Sequence, residues 1–322
     1  MKLKGKSVLV TGGAGFIGSH LVDRLVLEEP SKLVVVDNFF LGREENLDDA
    51  FQAFPLLKIY RLDASDLASM HQLVVLEDIE VVFDLATIPL PTSLHFPAWT
   101  VETNISIATT FCELARWGCI ETLVHCSSSE AYGTAVYVPM DELHPLQPRT
   151  PYAASKAAAD QIVFSYWRAF NIDTVLVRPF NTFGPRQNPG TYAGIIPIVI
   201  QRVRRGEPIE IHGDGEQTRD FIFVREISEA FIRSYEESKS RGKVINIATG
   251  RETSVNALVA DLLQALGKSD HPVHHVDPRP GDVRRHCGDI TLARELIGLN
   301  ASGLTHQSLE ETVAWYVSSV AI

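Results

Sequence analysis

The sequence predicts an α/β protein built on a doubly wound parallel sheet, with a smaller α/β lobe towards its C-terminal end. Two observations carry this expectation. Short β-branched or aliphatic runs alternate with longer helical patterns through residues 1–178, the arrangement that buries a parallel sheet between two helix layers. From Pro179 onwards the texture changes, and Gly184-Pro185, Pro189-Gly190, Gly213-Asp-Gly215 and Pro278 to Gly281 punctuate shorter elements. A second unit is therefore expected over residues 179–322.

The elements follow in order. Ser7 to Val10 is an apolar strand that runs into a glycine-rich turn, and Phe16 to Glu28 follows it as a helix. Leu33-Val-Val-Val36 is the second strand, ending at Asp37, and a third strand precedes Asp63. Leu67 to Leu76 reads as a helix, Val81 to Leu85 as a strand, and roughly Trp99 to Trp117 as a helix. Leu123 to Cys126, the helix Tyr152 to Phe170 and the strand Thr174 to Val177 complete the first unit. Val244 to Ile247 is expected to return to the first sheet. There is no internal repeat, low-complexity tract or heptad seam.

Composition narrows the function. With 322 residues, 45% apolar and 21% charged, the chain has ample material for a buried core. A net charge of −11 and a pI near 5.5 oppose the basic face that a grip on nucleic acid requires. Cys112, Cys119, Cys126 and Cys287 include no close-spaced pair of the metal or redox type, so no metal site is expected and a reducing cytoplasm fits best. No apolar run approaches the roughly 20 residues that span a bilayer, and a membrane partner is not expected.

The glycine turn carries the first chemistry. Gly12, Gly15 and Gly18 follow a strand and open a helix, which is the context of a Rossmann-type dinucleotide site. The glycines allow a tight turn and close backbone approach. The helix beginning at Phe16 and Ile17 offers unpaired N–H groups to a pyrophosphate. Asp37 ends the second strand, where its carboxylate can accept hydrogen bonds from the adenosine ribose and repel a ribose phosphate, favouring NAD over NADP. Asp63, after the third strand, is placed for the adenine.

A second pattern lies farther along. Tyr152 and Lys156 are four residues apart in Pro-Tyr-Ala-Ala-Ser-Lys, so on a helix they share one face, a turn apart. An ammonium beside a phenol favours the phenolate, and the spacing predicts a tyrosine whose pKa falls from its usual value of about 10 towards that of a general base.

The motifs together resemble the extended short-chain dehydrogenase/reductases, the nucleotide-sugar epimerases, dehydratases and decarboxylases. The resemblance covers essentially the whole chain. It rests on Thr11 to Gly18, Asp37-Asn38, Ser127-Ser128-Ser129-Glu130-Ala-Tyr-Gly133, Tyr152 to Lys156, Arg178-Pro-Phe-Asn181, Gly213-Asp-Gly215 with Arg219-Asp220-Phe221, and Arg279-Pro-Gly-Asp282. It implies that residues 1–178 bind NAD and residues 179–322 bind a nucleotide-diphosphate sugar. Tyr152 would remove the proton of the carbon 4 hydroxyl while hydride passes to NAD, Lys156 would hold the nicotinamide ribose, and Ser128 would hydrogen-bond the reacting oxygen. Asn38, Ala64, Asn104 and the turn Leu85-Ala86-Thr87 match positions that line the cofactor. Asn181, Arg219, Arg279 and Asp282 match positions that hold the diphosphate and nucleoside, with Arg284 and Arg285 as further candidates. The helices Trp99 to Trp117 and Tyr152 to Phe170 match the pair through which relatives form homodimers. One departure is Asp84, where relatives usually carry His.

The resemblance leaves the product open. Glu130, two places before Tyr132, matches a glutamate that serves carbon 5 proton chemistry in dehydratases and decarboxylases, and this places a 4,6-dehydratase first. Ser129 stands where the best-known hexose dehydratases carry the Asp that protonates the departing hydroxyl, which keeps a 4-epimerase as the alternative. Decarboxylases place an arginine where this chain has His286, making that branch the weakest. A non-catalytic NAD-sensing protein on the same fold would be expected to lose Tyr152 or Lys156.

Overall fold

A computed structural model describes residues 1–190, 194–278 and 283–319. In chain order the first half contains β1 (Ser7–Thr11), α1 (Phe16–Val26), β2 (Lys32–Asp37), α2 (Asp48–Ala53), β3 (Lys58–Arg61), α3 (Leu67–Leu76), β4 (Val81–Asp84), α4 (Leu90–Ser93), α5 (Pro97–Arg116), β5 (Thr122–Cys126), α6 (Pro151–Phe170) and β6 (Asp173–Pro179). The second contains β7 (Asn181–Phe183), α7 (Ile195–Arg205), β8 (Ile209–His212), β9 (Thr218–Arg219), β10 (Phe221–Phe223), α8 (Val224–Glu236), β11 (Val244–Ile247), β12 (Thr253–Ser254), α9 (Val255–Ala265), β13 (Val273–Val276), α10 (Thr291–Ile297) and α11 (His306–Ser319).

Seven strands form one parallel sheet in the order β11-β6-β5-β4-β1-β2-β3. The doubly wound expectation holds, and Val244–Ile247 does return to this sheet, beside β6. Alternate residues of one strand serve different cores. Val8, Val10, Leu33 and Val35 pack under α1 and α8, whereas Leu9, Val34, Val36 and Val82 pack under α3, α5 and α6. The strand order reverses between β1 and β4, and their carboxyl ends part there to leave a crevice. The third strand shows why it lacks an apolar run: Lys58–Arg61 is an edge strand, mostly exposed and ending in charges at both sides. A third core, containing Phe183, Ile211, Leu258 and Tyr316, joins the β7–β10 and β8–β13 sheets to helices of the C-terminal region.

The sequence sets the ends of α6 closely. Thr150 Oγ1 accepts the Ala153 N–H at 3.1 Å, Pro151 occupies the first turn, and Asn171 closes the helix in the left-handed region at φ 55°. Its register over the sheet is set by a buried polar knot. Arg178 Nη2 on β6 donates to Asp160 Oδ2 on α6 at 2.6 Å, and Arg178 Nε donates to Ser127 Oγ at 3.1 Å. Ser127 donates to the same carboxylate oxygen at 2.7 Å. The guanidinium also lies 4.4 Å from the Tyr132 ring centroid, and the Tyr132 hydroxyl donates to Asn246 on β11 at 2.8 Å.

Removing one member of a buried ion pair strands the other charge, at a typical cost of about 3–5 kcal/mol. Asp160→Asn is therefore expected to lower the urea-unfolding free energy by several kcal/mol, and wild-type stability in this variant would show that the knot does not hold α6.

Candidate active site

The crevice between β1 and β4 deepens into a cleft of about 530 Å³. Its floor begins at Gly12, which has φ 64° and sits so close to the β4 turn that a Cβ would meet the Ala86 backbone at 3.0 Å. Gly18 packs against the glycine turn itself, where a Cβ would lie 2.1 Å from the Gly12 carbonyl oxygen. Thr11 fixes the opposite lip: its hydroxyl donates to Asp84 Oδ1 at 2.8 Å and accepts the Leu85 and Ala86 N–H groups, each at 3.1 Å. Asp84 also accepts a 2.8 Å hydrogen bond from His125 Nδ1 on β5. The aspartate thus links three neighbouring strands beneath the cleft.

Helix α1 has Gly15 as its N-cap, with no side-chain cap and no acidic residue in its first turn, so its N-terminal N–H groups face the cleft unclaimed. At one end stands Asp37, whose carboxylate accepts from Ala14 N at 3.0 Å and Phe39 N at 2.8 Å. Burial raises its pKa above the ordinary carboxylate value, against the two backbone hydrogen bonds. Asn38, Asp63 and Ala64 line this end, and Leu85, Ala86 and Thr87 line the middle. Uncapped N–H groups beside a close glycine turn, with a carboxylate one strand away, fit a dinucleotide diphosphate and its adenosine ribose.

Ser128, Glu130, Tyr152 and Lys156 converge at the other end. Lys156 Nζ donates to the Cys126 carbonyl at 2.5 Å. The Ser128 hydroxyl favours the ionised form of Tyr152, but burial outweighs it, and the nearby Cys126, Glu130 and Asp160 add to the burial. The phenol is consequently pushed above its ordinary pKa, opposite to the expectation from the Tyr-Lys spacing. The physical reason is desolvation in a cleft whose nearby titratable groups are mostly acidic.

Other sequence candidates fall elsewhere. Asn104 is buried behind the lining, where its side chain accepts from Ile88 N at 2.7 Å and donates to Ile88 O at 3.1 Å and Ser155 Oγ at 2.9 Å. It holds the wall instead of facing the cleft. Ser129 is also buried and outside the lining, and its carbonyl faces His286 Nε2 at 3.4 Å. Burial lowers the His286 pKa to about 4, so the ring is neutral near pH 7. Asn181 begins β7, and its buried side-chain nitrogen has no hydrogen-bond partner. Arg219 donates to the Thr218 and Val283 carbonyls at 2.8 and 2.6 Å. Arg284 and Arg285 are tied to Asp214 and Glu252 at 2.6 and 2.5 Å on the surface. Arg279 and Asp282 lie outside the described residues. Sequence reading missed Phe40, Thr103, Ile107, Phe180 and Arg186 in the cleft wall; the spacing of four between Thr103 and Ile107 was the available signal.

The model of the NAD-dependent epimerase/dehydratase family matches residues 8–248. The chain belongs to this family. As an epimerase/dehydratase it uses NAD, and the residues at the glycine turn and Asp37 are those that fit it. Among similar proteins, the UDP-glucose 4-epimerase of Mycolicibacterium smegmatis is 36% identical over 96% of this chain and 97% of its own length. The UDP-N-acetylglucosamine 4-epimerase of Methanobrevibacter ruminantium, solved with UDP-N-acetylmuramic acid, superposes with a TM-score of 0.90 at 35% identity, covering 98% of this chain and all of that one. A dTDP-glucose 4,6-dehydratase of Streptomyces venezuelae, solved with NAD, gives a TM-score of 0.88 at 27% identity, with 97% of each chain covered.

The neutral His286 has a measurable consequence. Its folded pKa of about 4 lies below the unfolded value of 6.5, so protonation favours the unfolded chain, and stability is lost as pH falls from 6.5 towards 4. The loss amounts to roughly 3 kcal/mol at 1.36 kcal/mol per pKa unit. His286→Gln is expected to flatten the stability profile over this window by that order. An unchanged acid limb in urea titrations would count against a buried neutral ring.

Proposed function

We propose that the protein is an NDP-sugar 4-epimerase of the UDP-glucose 4-epimerase type. One observation carries the choice. Among the described residues, the carboxylates lining the cleft are Asp37, Asp63 and Glu130, and only Glu130 stands at the catalytic end, while Ser129 is turned away and buried. Elimination of water is best served by an acid for the departing hydroxyl beside the base at carbon 5, and among the described residues that line the cleft no second carboxylate stands at the end of Glu130. Epimerisation at carbon 4 needs neither. The 4-epimerase likeness of the relatives with 36% and 35% identity supports the same order, reversing the preference read from Glu130 in the sequence.

Bound in the cleft, NAD supplies reversible hydride acceptance; all other tasks fall to the chain. Tyr152 takes the proton of the carbon 4 hydroxyl and returns it after the keto sugar has turned over. Ser128 hydrogen-bonds that oxygen, and Lys156 holds the ribose end of the cofactor. The NDP portion is held by the 179–322 lobe, through Asn181, whose orphaned amide fits an acceptor on the ligand, and Arg219, with Arg279 and Asp282 completing the set. Glu130 at the catalytic end keeps a 4,6-dehydratase as the second reading. A decarboxylase is disfavoured because neutral, buried His286 offers no cation to a uronate. Retention of both Tyr152 and Lys156 in the cleft speaks against a purely NAD-sensing role. Two copies are proposed to pair through α5 and α6, which pack together and leave Trp117 and Phe170 exposed at their C-terminal ends.

Incubation with UDP-glucose and no added NAD is expected to give a product of unchanged mass with inverted carbon 4; a product lighter by one water would establish the dehydratase instead. Tyr152→Phe should lose about 10²–10⁴-fold in kcat. Glu130→Gln should keep near wild-type turnover, and its inactivity would assign Glu130 to carbon 5 chemistry.

A further inference from the structure

Phe40 and Trp99 are each about two-fifths exposed, at 42% and 41%, yet their rings meet edge to face with centroids 5.3 Å apart. They come from different elements. Phe40 lies in the loop after β2 and lines the cleft at its Asp37 end. Trp99 lies on α5, and Trp99, Thr103 and Ile107 follow one another at spacings of four, so they share a helix face. Thr103 and Ile107 line the cleft, and Trp99 carries that face one turn outward. Phe96 backs Trp99 at 6.4 Å.

The loop that presents Phe40 is strained. Phe39 adopts φ 59°, a left-handed conformation costly for a bulky side chain. The turn is held open by the cleft's own polar groups. Phe39 N donates to Asp37 Oδ1 at 2.8 Å, Phe40 N donates to Asn38 Oδ1 at 3.0 Å, and the Arg61 guanidinium covers the Phe39 ring at 5.2 Å. Phe39 is thereby turned inward against the core and Phe40 outward over the cleft. The same reversal brings Phe40 to Trp99.

We propose that Phe40 and Trp99 form an aromatic clasp at the adenosine end of the cleft that sets how long NAD stays bound. The clasp ties the β2 loop to α5 beside the Asp37 end, and release of the dinucleotide requires it to part. The advantage follows from the chemistry, because a cofactor that must return its hydride to the same sugar has to outstay the cycle. The proposal rests on Asp37 marking the adenosine end of the NAD site.

The test loads the full-length protein with NAD and follows release by stopped flow, with an excess of an unrelated NAD-consuming dehydrogenase as the trap. Phe40→Ala and Trp99→Ala are each expected to release NAD about three- to tenfold faster, the factor an edge-to-face pair represents. The double variant should be no faster than the singles, since each breaks the same contact. Trp99→Phe, which keeps a ring and the fold, should stay within about twofold of wild type. A wild-type release rate in Phe40→Ala, or effects that multiply in the double variant, would overturn the clasp while leaving the NAD site intact. Wild-type protein that holds no NAD would overturn both.

Discussion

Two charges without access to water decide where helix α6 lies. The Arg178–Asp160 pair joins β6 to α6 through the sheet's interior, and neither partner tolerates loss of the other at low dielectric. Because Asp160 is four residues beyond Lys156 and eight beyond Tyr152, pinning it fixes the face that carries both. Ser127, bonded to the same carboxylate, precedes Ser128, so the loop bearing the other polar group of the site is held by the same knot. The positions of Ser128, Tyr152 and Lys156 are therefore consequences of one electrostatic constraint placed behind them.

The cleft is polarised along its length. At one end an uncapped helix and backbone N–H groups offer positive partial charge, and at the other desolvation and acidic neighbours push the Tyr152 phenol above its ordinary pKa. Lys156 is already engaged with the Cys126 carbonyl. On the proposed chemistry, a base needed only during hydride transfer fits this arrangement, because charge brought by the bound ligands would offset the desolvation of the phenol.

Much of this was legible in the sequence, for reasons that differ by region. The parallel sheet announced itself because strands buried on both faces are nearly continuous apolar runs, as in Leu33 to Val36. The third strand did not, because an edge strand such as Lys58–Arg61 needs no such run. The glycine turn, Asp37, Tyr152 and Lys156 were readable because local geometry demands those residue types at those spacings. The internal partners of Asn104, Ile88 and Ser155, were not legible because they come from other parts of the chain. The direction of the Tyr152 shift was misread for a related reason: spacing reports neighbours along a helix, whereas desolvation depends on everything folded around it.

The return of β11 to the main sheet has a consequence for how the chain is made. Until Val244–Ile247 emerge, β6 presents an open edge to solvent, and Tyr132 lacks Asn246 as its hydroxyl partner. At synthesis rates of about 5–20 residues per second, the nascent N-terminal unit spends several seconds with that edge unpaired. The wait coincides with the making of the C-terminal region, so the last strand both seals the sheet and ties the two regions together. A chain ending near residue 178 keeps the edge for good, which makes it prone to pair with other copies of itself.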